Sequence, residues 1–227
     1  MEEEIHTFDV EDNDNNNNWH GTSLWKILAI FVVLIVLLFG ISALTCAIAN
    51  TCRNYVPTVQ NMLTSPFAVP FVVSGMNAVW IMHLIIVVGI YSKTAARAPI
   101  WARFQVLEAV FVYASVAITA LVFPWTGWSG NWANVAIIVN VSLWMIMCTV
   151  CVRGIYRDRI SSKRHLVWWN VGCAAAFIVS SIGYVIVRAV GTSTGVLVTE
   201  IVCGLTFMMF MVVCAAHVSS VKIQIES

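Results

Sequence analysis

The chain has 227 residues, 60% of them hydrophobic and 10% charged, with a formal net charge of +1 and a mean hydropathy of +0.86. A soluble domain carries about 25% charged residues, so this composition excludes one. Runs of about 20 mostly apolar residues recur, each long enough to cross a hydrocarbon core of roughly 30 Å.

We therefore expect an all-α polytopic membrane protein, a bundle of six transmembrane helices in one membrane domain. Residues 1–24 are acidic and Asn-rich and hold seven of the eleven acidic residues within the first fourteen positions. Nothing there can bury a core, and we expect a disordered tail. Its acidic start is unlike a secretory leader, which begins basic. The expected spans then follow at about 25–49, 67–91, 104–123, 133–152, 166–187 and 195–218, inside a membrane domain of 25–218. A short tail, 219–227, closes the chain.

Orientation is read from the basic residues. With the N-terminus in the cytosol, that side receives Lys26, Lys93, Arg97, Arg103, Arg153, Arg157, Arg159, Lys163, Arg164 and Lys222, and the far side only Arg53 and Arg188. Both termini are then expected in the cytosol, and the polar connection Asn50 to Pro66 faces the lumen or exterior. Pro57 and Pro66 limit how much of that connection can be regular helix. Val56, Val59, Met62 and Leu63 give it an apolar side suited to the membrane interface. The basic loop from Arg153 to His165 is a topology signal. Its Arg153, Arg157, Arg159, Lys163 and Arg164 are also suited to anionic lipid headgroups, at roughly 1 kcal/mol per basic residue near the surface. Trp101, Trp125, Trp128, Trp132, Trp168 and Trp169 sit near expected span ends, the aromatic-belt position.

Three ionisable residues fall inside the spans: His83, Glu108 and Glu200. Groups of this kind are costly at membrane depth and face the bundle interior or a cavity. Glu108 is expected about one turn from the cytosolic end of its span, and Glu200 in the opposite half of span six, at a depth similar to Asn134. His83 reads as a packed, hydrogen-bonded histidine rather than a ligand or base. Helical spacing puts Glu108, Ser115 and Thr119 on one stripe, and Asn134, Ser142 and Thr149 on another. Gly172, Ala176 and Ser180 repeat every four residues, a small face suited to close helix approach. These stripes describe a mildly polar interior, either for interhelical hydrogen bonds or for a lipid headgroup or substrate.

The seven cysteines mostly lie in apolar runs, where a thiol packs as a small hydrophobe. Cys148 and Cys151 have C-x-x-C spacing but no second pair or nearby His, so no metal site is expected. No H-E-x-x-H, G-x-S-x-G or Walker loop is present. That weighs against an enzyme, and no catalytic residue or cofactor is assigned. The chain lacks voltage-sensor arginines, a filter-like carbonyl run and an inverted repeat, which weighs against a conventional channel or transporter.

Cys52, Asn54, Tyr55, Pro57 and Thr58, followed by a short amphipathic stretch into span two, resemble the DRAM/FRAG family of six-span membrane proteins. The nearest branch is that of the GPI-anchor lipid-remodelling factors. The likeness continues through Val106-Leu107-Glu108-Ala109, Asn131-Trp132-Ala133-Asn134, Met147-Cys148-Thr149, Lys163-Arg164-His165-Leu166, Gly195-Val196 and His217. It departs where that branch carries a His-Glu pair, which is Asn131-Trp132 here. The branch's H-x-x-P-R-like motif in span two has no clear counterpart, and its span-six acid is displaced, so Glu200 is not carried over.

The resemblance implies a role in lipid maturation of GPI-anchored proteins in the Golgi or endoplasmic reticulum. Its expected partners are membrane lipids and GPI-anchored proteins; no nucleic acid is expected. Tyr55, Pro57, Glu108 and Asn134 would be its lipid-binding candidates, with His83 and Glu200 added from their depth in the spans. The family's other branches imply an alternative, a non-enzymatic regulator or scaffold of the lysosome or plasma membrane, of the autophagy-modulator or phosphoinositide-kinase-partner kind. A small transporter or channel subunit is a third reading.

Overall fold

The computed structural model describes residues 24–50, 57–95, 98–126, 131–155, 164–191 and 193–218. Within them run α1 (Leu24–Ile48), α2 (Val59–Thr64), α3 (Val69–Thr94), α4 (Pro99–Thr126), α5 (Asn131–Ile155), α6 (Arg164–Val190) and α7 (Ser193–Val218). All but α2 are long and apolar enough to cross a membrane. The protein is thus an all-helical, multi-pass membrane protein, with no strand among the described residues.

The six expected spans are all found. The largest difference lies at α4, which starts at Pro99, five residues before the expected boundary. Proline has no N–H to leave unsatisfied in a first turn and its fixed φ suits a helix start. The longer helix puts Glu108 nine residues in from Pro99, or ~13 Å at 1.5 Å per residue. Glu108 therefore follows more than two turns of helix rather than one.

Successive helices run in opposite directions. One end of the bundle carries α2. The other carries Lys26, Lys93, Arg103 and Arg153, and we call it the basic end. There the Lys93 ammonium donates to the His217 carbonyl at 2.8 Å, joining the ends of α3 and α7. The basic loop expected to meet lipid lies mostly outside the described residues; of its two ends, Arg153 and His165 are both exposed. Trp101, Trp168 and Trp169 are also exposed at this end. The side chains of Trp125, Trp128 and Trp132 are outside the described residues, as are 1–23.

Helix α3 is central and packs against α1, α2, α4, α5 and α7. Its neighbour α1 buries one narrow stripe, Leu28, Ile35, Ser42 and Cys46, and turns most of its remaining surface outward. Those positions recur at seven, seven and four residues, one face of a helix. The main core lies toward the basic end. In α5 the buried residues are Val141, Trp144, Met145, Cys148, Cys151 and Val152; in α7 they run from Phe210 to Val218. None of residues 135–140 of α5 or 194–209 of α7 is buried. Full burial in these two helices is thus confined to the basic end, while Ile137, Cys203, Phe207 and Met208 pack against the core as partly buried residues.

Of the small-residue repeat, only Ser180 meets another helix, with Cys203 Sγ of α7 3.4 Å from its hydroxyl. Gly172 and Ala176 are exposed, and a Cβ on Gly172 would meet nothing within 4 Å. Spacing marks a small face without saying which way it turns. The close contacts are instead on α3, where a Cβ on Gly75 would lie 3.0 Å from the Phe39 ring and one on Gly89 would lie 3.1 Å from Val218. Gly89→Leu is therefore expected to cost about 1–3 kcal/mol by overpacking. Gly172→Ala should leave stability unchanged or raise it by up to about 1 kcal/mol through helix propensity. Thermal unfolding of the two variants in detergent measures both effects.

Candidate functional site

The connection from α1 to α3 is built, not merely short. Asn50 ends α1 at φ 52°, a left-handed conformation that Asn tolerates. Between Pro57 and Pro66 there is room for six helical residues, Val59–Thr64. Its Met62 is buried with Cys46, Ala68 and Val72 in a small core of its own, and Val59 packs against it. The Ser42 hydroxyl donates to the Ala68 carbonyl at 3.2 Å, tying α1 to the start of α3. The expected apolar side thus packs on the protein at Val59 and Met62. Only Leu63 turns outward, and Val56 is outside the described residues.

The decisive contact comes from far along the chain. The Val59 N–H donates to Glu200 Oε2 at 2.9 Å across 141 residues of sequence. This N–H opens α2 and has no partner within its own helix, and a carboxylate accepting it makes a charge-assisted bond. Glu200 lies seven residues into α7, ~10 Å from its start, so the contact draws α2 against the bundle at that depth. Arg188, near the end of α6, lies within electrostatic reach of this carboxylate. The guanidinium donates from Nη1 to the Tyr184 hydroxyl at 2.7 Å and rests 5.8 Å from that ring's centroid. A tight turn at Gly191, φ 85°, brings α7 back beside α6 and places acid and base at the same end. An acid, a base and a phenol therefore lie at one end of the bundle, the base and phenol in direct contact. Such a set can hold a polar or charged group at the edge of the membrane.

A second polar group lies deep in the bundle. His83 is buried, and its Nδ1 is 3.0 Å from the Tyr113 hydroxyl. That hydroxyl donates to the Trp80 carbonyl at 3.0 Å. Its single proton is then committed, so its oxygen accepts from His83 Nδ1–H. The Trp144 ring packs edge-on against His83 with centroids 4.2 Å apart. Tyr113→Phe should cost about 1–3 kcal/mol, because it leaves the His83 N–H buried without an acceptor. Adding His83→Phe should recover much of that loss, since both polar partners are then gone. A double-mutant cycle on thermal stability reads the recovery.

The sequence-based candidates do not converge on one place. Glu200 meets α2, whereas His83 bonds to α4. Pro57 is half-buried two residues before Val59; Tyr55 lies outside the described residues. Asn134 is in the first turn of α5 with its side chain outside them. Glu108 is half-buried and has no partner among the described residues. The expected hydroxyl stripes are satisfied within their own helices: Ser115 donates to the Val112 carbonyl, Ser142 to Ile138 and Thr149 to Met145. A carbonyl three or four residues back is the nearest acceptor to a helical hydroxyl. The Cys148 and Cys214 sulfurs touch at 3.5 Å. Among the described residues no group of three or more His, Cys, Asp or Glu is placed to hold a metal ion.

Sequence reading missed Tyr113, Trp144 and Gln105, the last fully buried with both amide atoms unbonded. The four-residue spacing of Tyr184 and Arg188 signals their own contact. No family model, curated protein or solved structure matches the chain.

Proposed function

We propose that this membrane protein handles lipid at its α2 end and takes part in lipid maturation of GPI-anchored proteins in the secretory pathway. The observation that carries the reading is the Glu200 carboxylate held on the Val59 N–H. It places a charged side chain of the last span beside the polar connection that bears the family resemblance. Arg188 and Tyr184 add a base and a phenol at the same end, groups suited to a phosphate- and hydroxyl-bearing headgroup. Exposed apolar side chains of α7 there, Val198, Ile201 and Val202, give an acyl chain a surface to lie against. Golgi or endoplasmic reticulum is the compartment this role requires.

Mass spectrometry of the lipid moiety of GPI-anchored proteins tests the reading. Cells lacking the protein should show altered acyl chains, and wild type should restore them. Unchanged anchor lipids in the deletion would sink it. A scaffold acting through the acidic tail would behave differently again: removing residues 1–20 would abolish its effect, whereas a lipid handler working at the α2 end should tolerate that loss.

A further inference from the structure

We propose that the α2 end of the bundle faces an oxidising compartment, in which Cys46 is oxidised to a disulfide that staples the exit of α1. Cys46 is disulfide-bonded, whereas Cys148, Cys151, Cys173, Cys203 and Cys214 are free thiols. The sequence holds seven cysteines, and the one remaining, Cys52, is outside the described residues. Position gives the pattern its meaning. Cys46 is two residues from the last residue of α1, at the α2 end, while Cys148, Cys151 and Cys214 belong to the core toward the basic end. Even Cys148 and Cys214, in contact at 3.5 Å, remain thiols.

Forming the bond takes two electrons and two protons from two thiols and passes them to a disulfide-bearing donor, which leaves as a dithiol. Donors of that class act in secretory and extracellular spaces, not in the cytosol. The basic residues Lys26, Lys93, Arg103 and Arg153 collect at the opposite end, which the positive-inside distribution assigns to the cytosol. Two unrelated signals, thiol oxidation and charge, therefore orient the bundle the same way. Cys46 also belongs to the small core of Met62, Ala68 and Val72, on which α2 packs. The inference concerns compartment rather than ligand and stands apart from the lipid reading.

Counting alkylated thiols on the full-length protein tests it. In denaturing detergent without reductant, five thiols should react with a maleimide; after reduction, seven should. Seven without reduction would overturn the disulfide. The Cys46→Ser variant should give six in both conditions, and a further rise on reduction would put the bond elsewhere. Orientation is read in sealed microsomes, whose outer face is cytosolic. The charged phosphine tris(2-carboxyethyl)phosphine should leave the count at five until detergent opens the vesicles, while membrane-permeant dithiothreitol should bring it to seven at once. A count of seven with the phosphine in sealed vesicles would place the α2 end in the cytosol.

Discussion

Trp144→Ala is expected to destabilise the bundle by about 3 kcal/mol, the lower end of the range for removing a buried Trp. The indole is fully buried. It packs edge-on against His83 and also against Phe210, with centroids 5.7 Å apart. Lipid tails are as apolar as the core, so little of the loss comes from transfer out of water. It comes from contacts surrendered around the cavity. Trp144→Phe should behave quite differently. The indole Nε1–H is buried without an acceptor, and a group in that state costs about 1–3 kcal/mol. Phenylalanine keeps most of the ring contact and removes that N–H, so its net effect should be small. Thermal unfolding in detergent separates the two variants; equal losses for Phe and Ala would contradict this account of the core.

Glu200→Ala is the second large effect. It removes the acceptor of the Val59 N–H, a charge-assisted bond of about 1.5–3 kcal/mol. The loss should be local. Amide exchange in Val59–Thr64 should speed up, while exchange in the core of α3 stays slow, because that core does not depend on α2. Glu200→Gln should fall between, since its carbonyl still accepts the N–H but without charge. Faster exchange spread evenly over α3 and α7 would show that Glu200 supports the whole bundle rather than α2.

Much of the fold was legible because spans announce themselves as long apolar runs. Helix boundaries were less so, and Pro99 shows why: a proline reads as an interruption but also starts helices. The α2 segment could be bracketed from Pro57 and Pro66. Its bond to Glu200 could not be read, since no local pattern encodes a contact across 141 residues. Glu200 stood out by its depth alone, which gives no partner. The two stripes that hold Ser115 and Ser142 with Thr149 suggested contacts between helices or with a bound polar group, but each of these hydroxyls donates to a carbonyl of its own helix. Gly75 and Gly89 carry the tight contacts without forming a regular repeat, so pattern reading passed over them. Cys46 looked like another small hydrophobe in an apolar run. Only the fold separates it from the five free thiols.

We propose lipid handling at the α2 end, where Glu200 holds the Val59 N–H. Its most direct test is the anchor-lipid profile of GPI-anchored proteins in deletion cells supplied with Glu200→Ala at wild-type abundance. We predict that the profile stays that of the deletion, while Gly172→Ala restores it fully. Full restoration by Glu200→Ala would contradict the account.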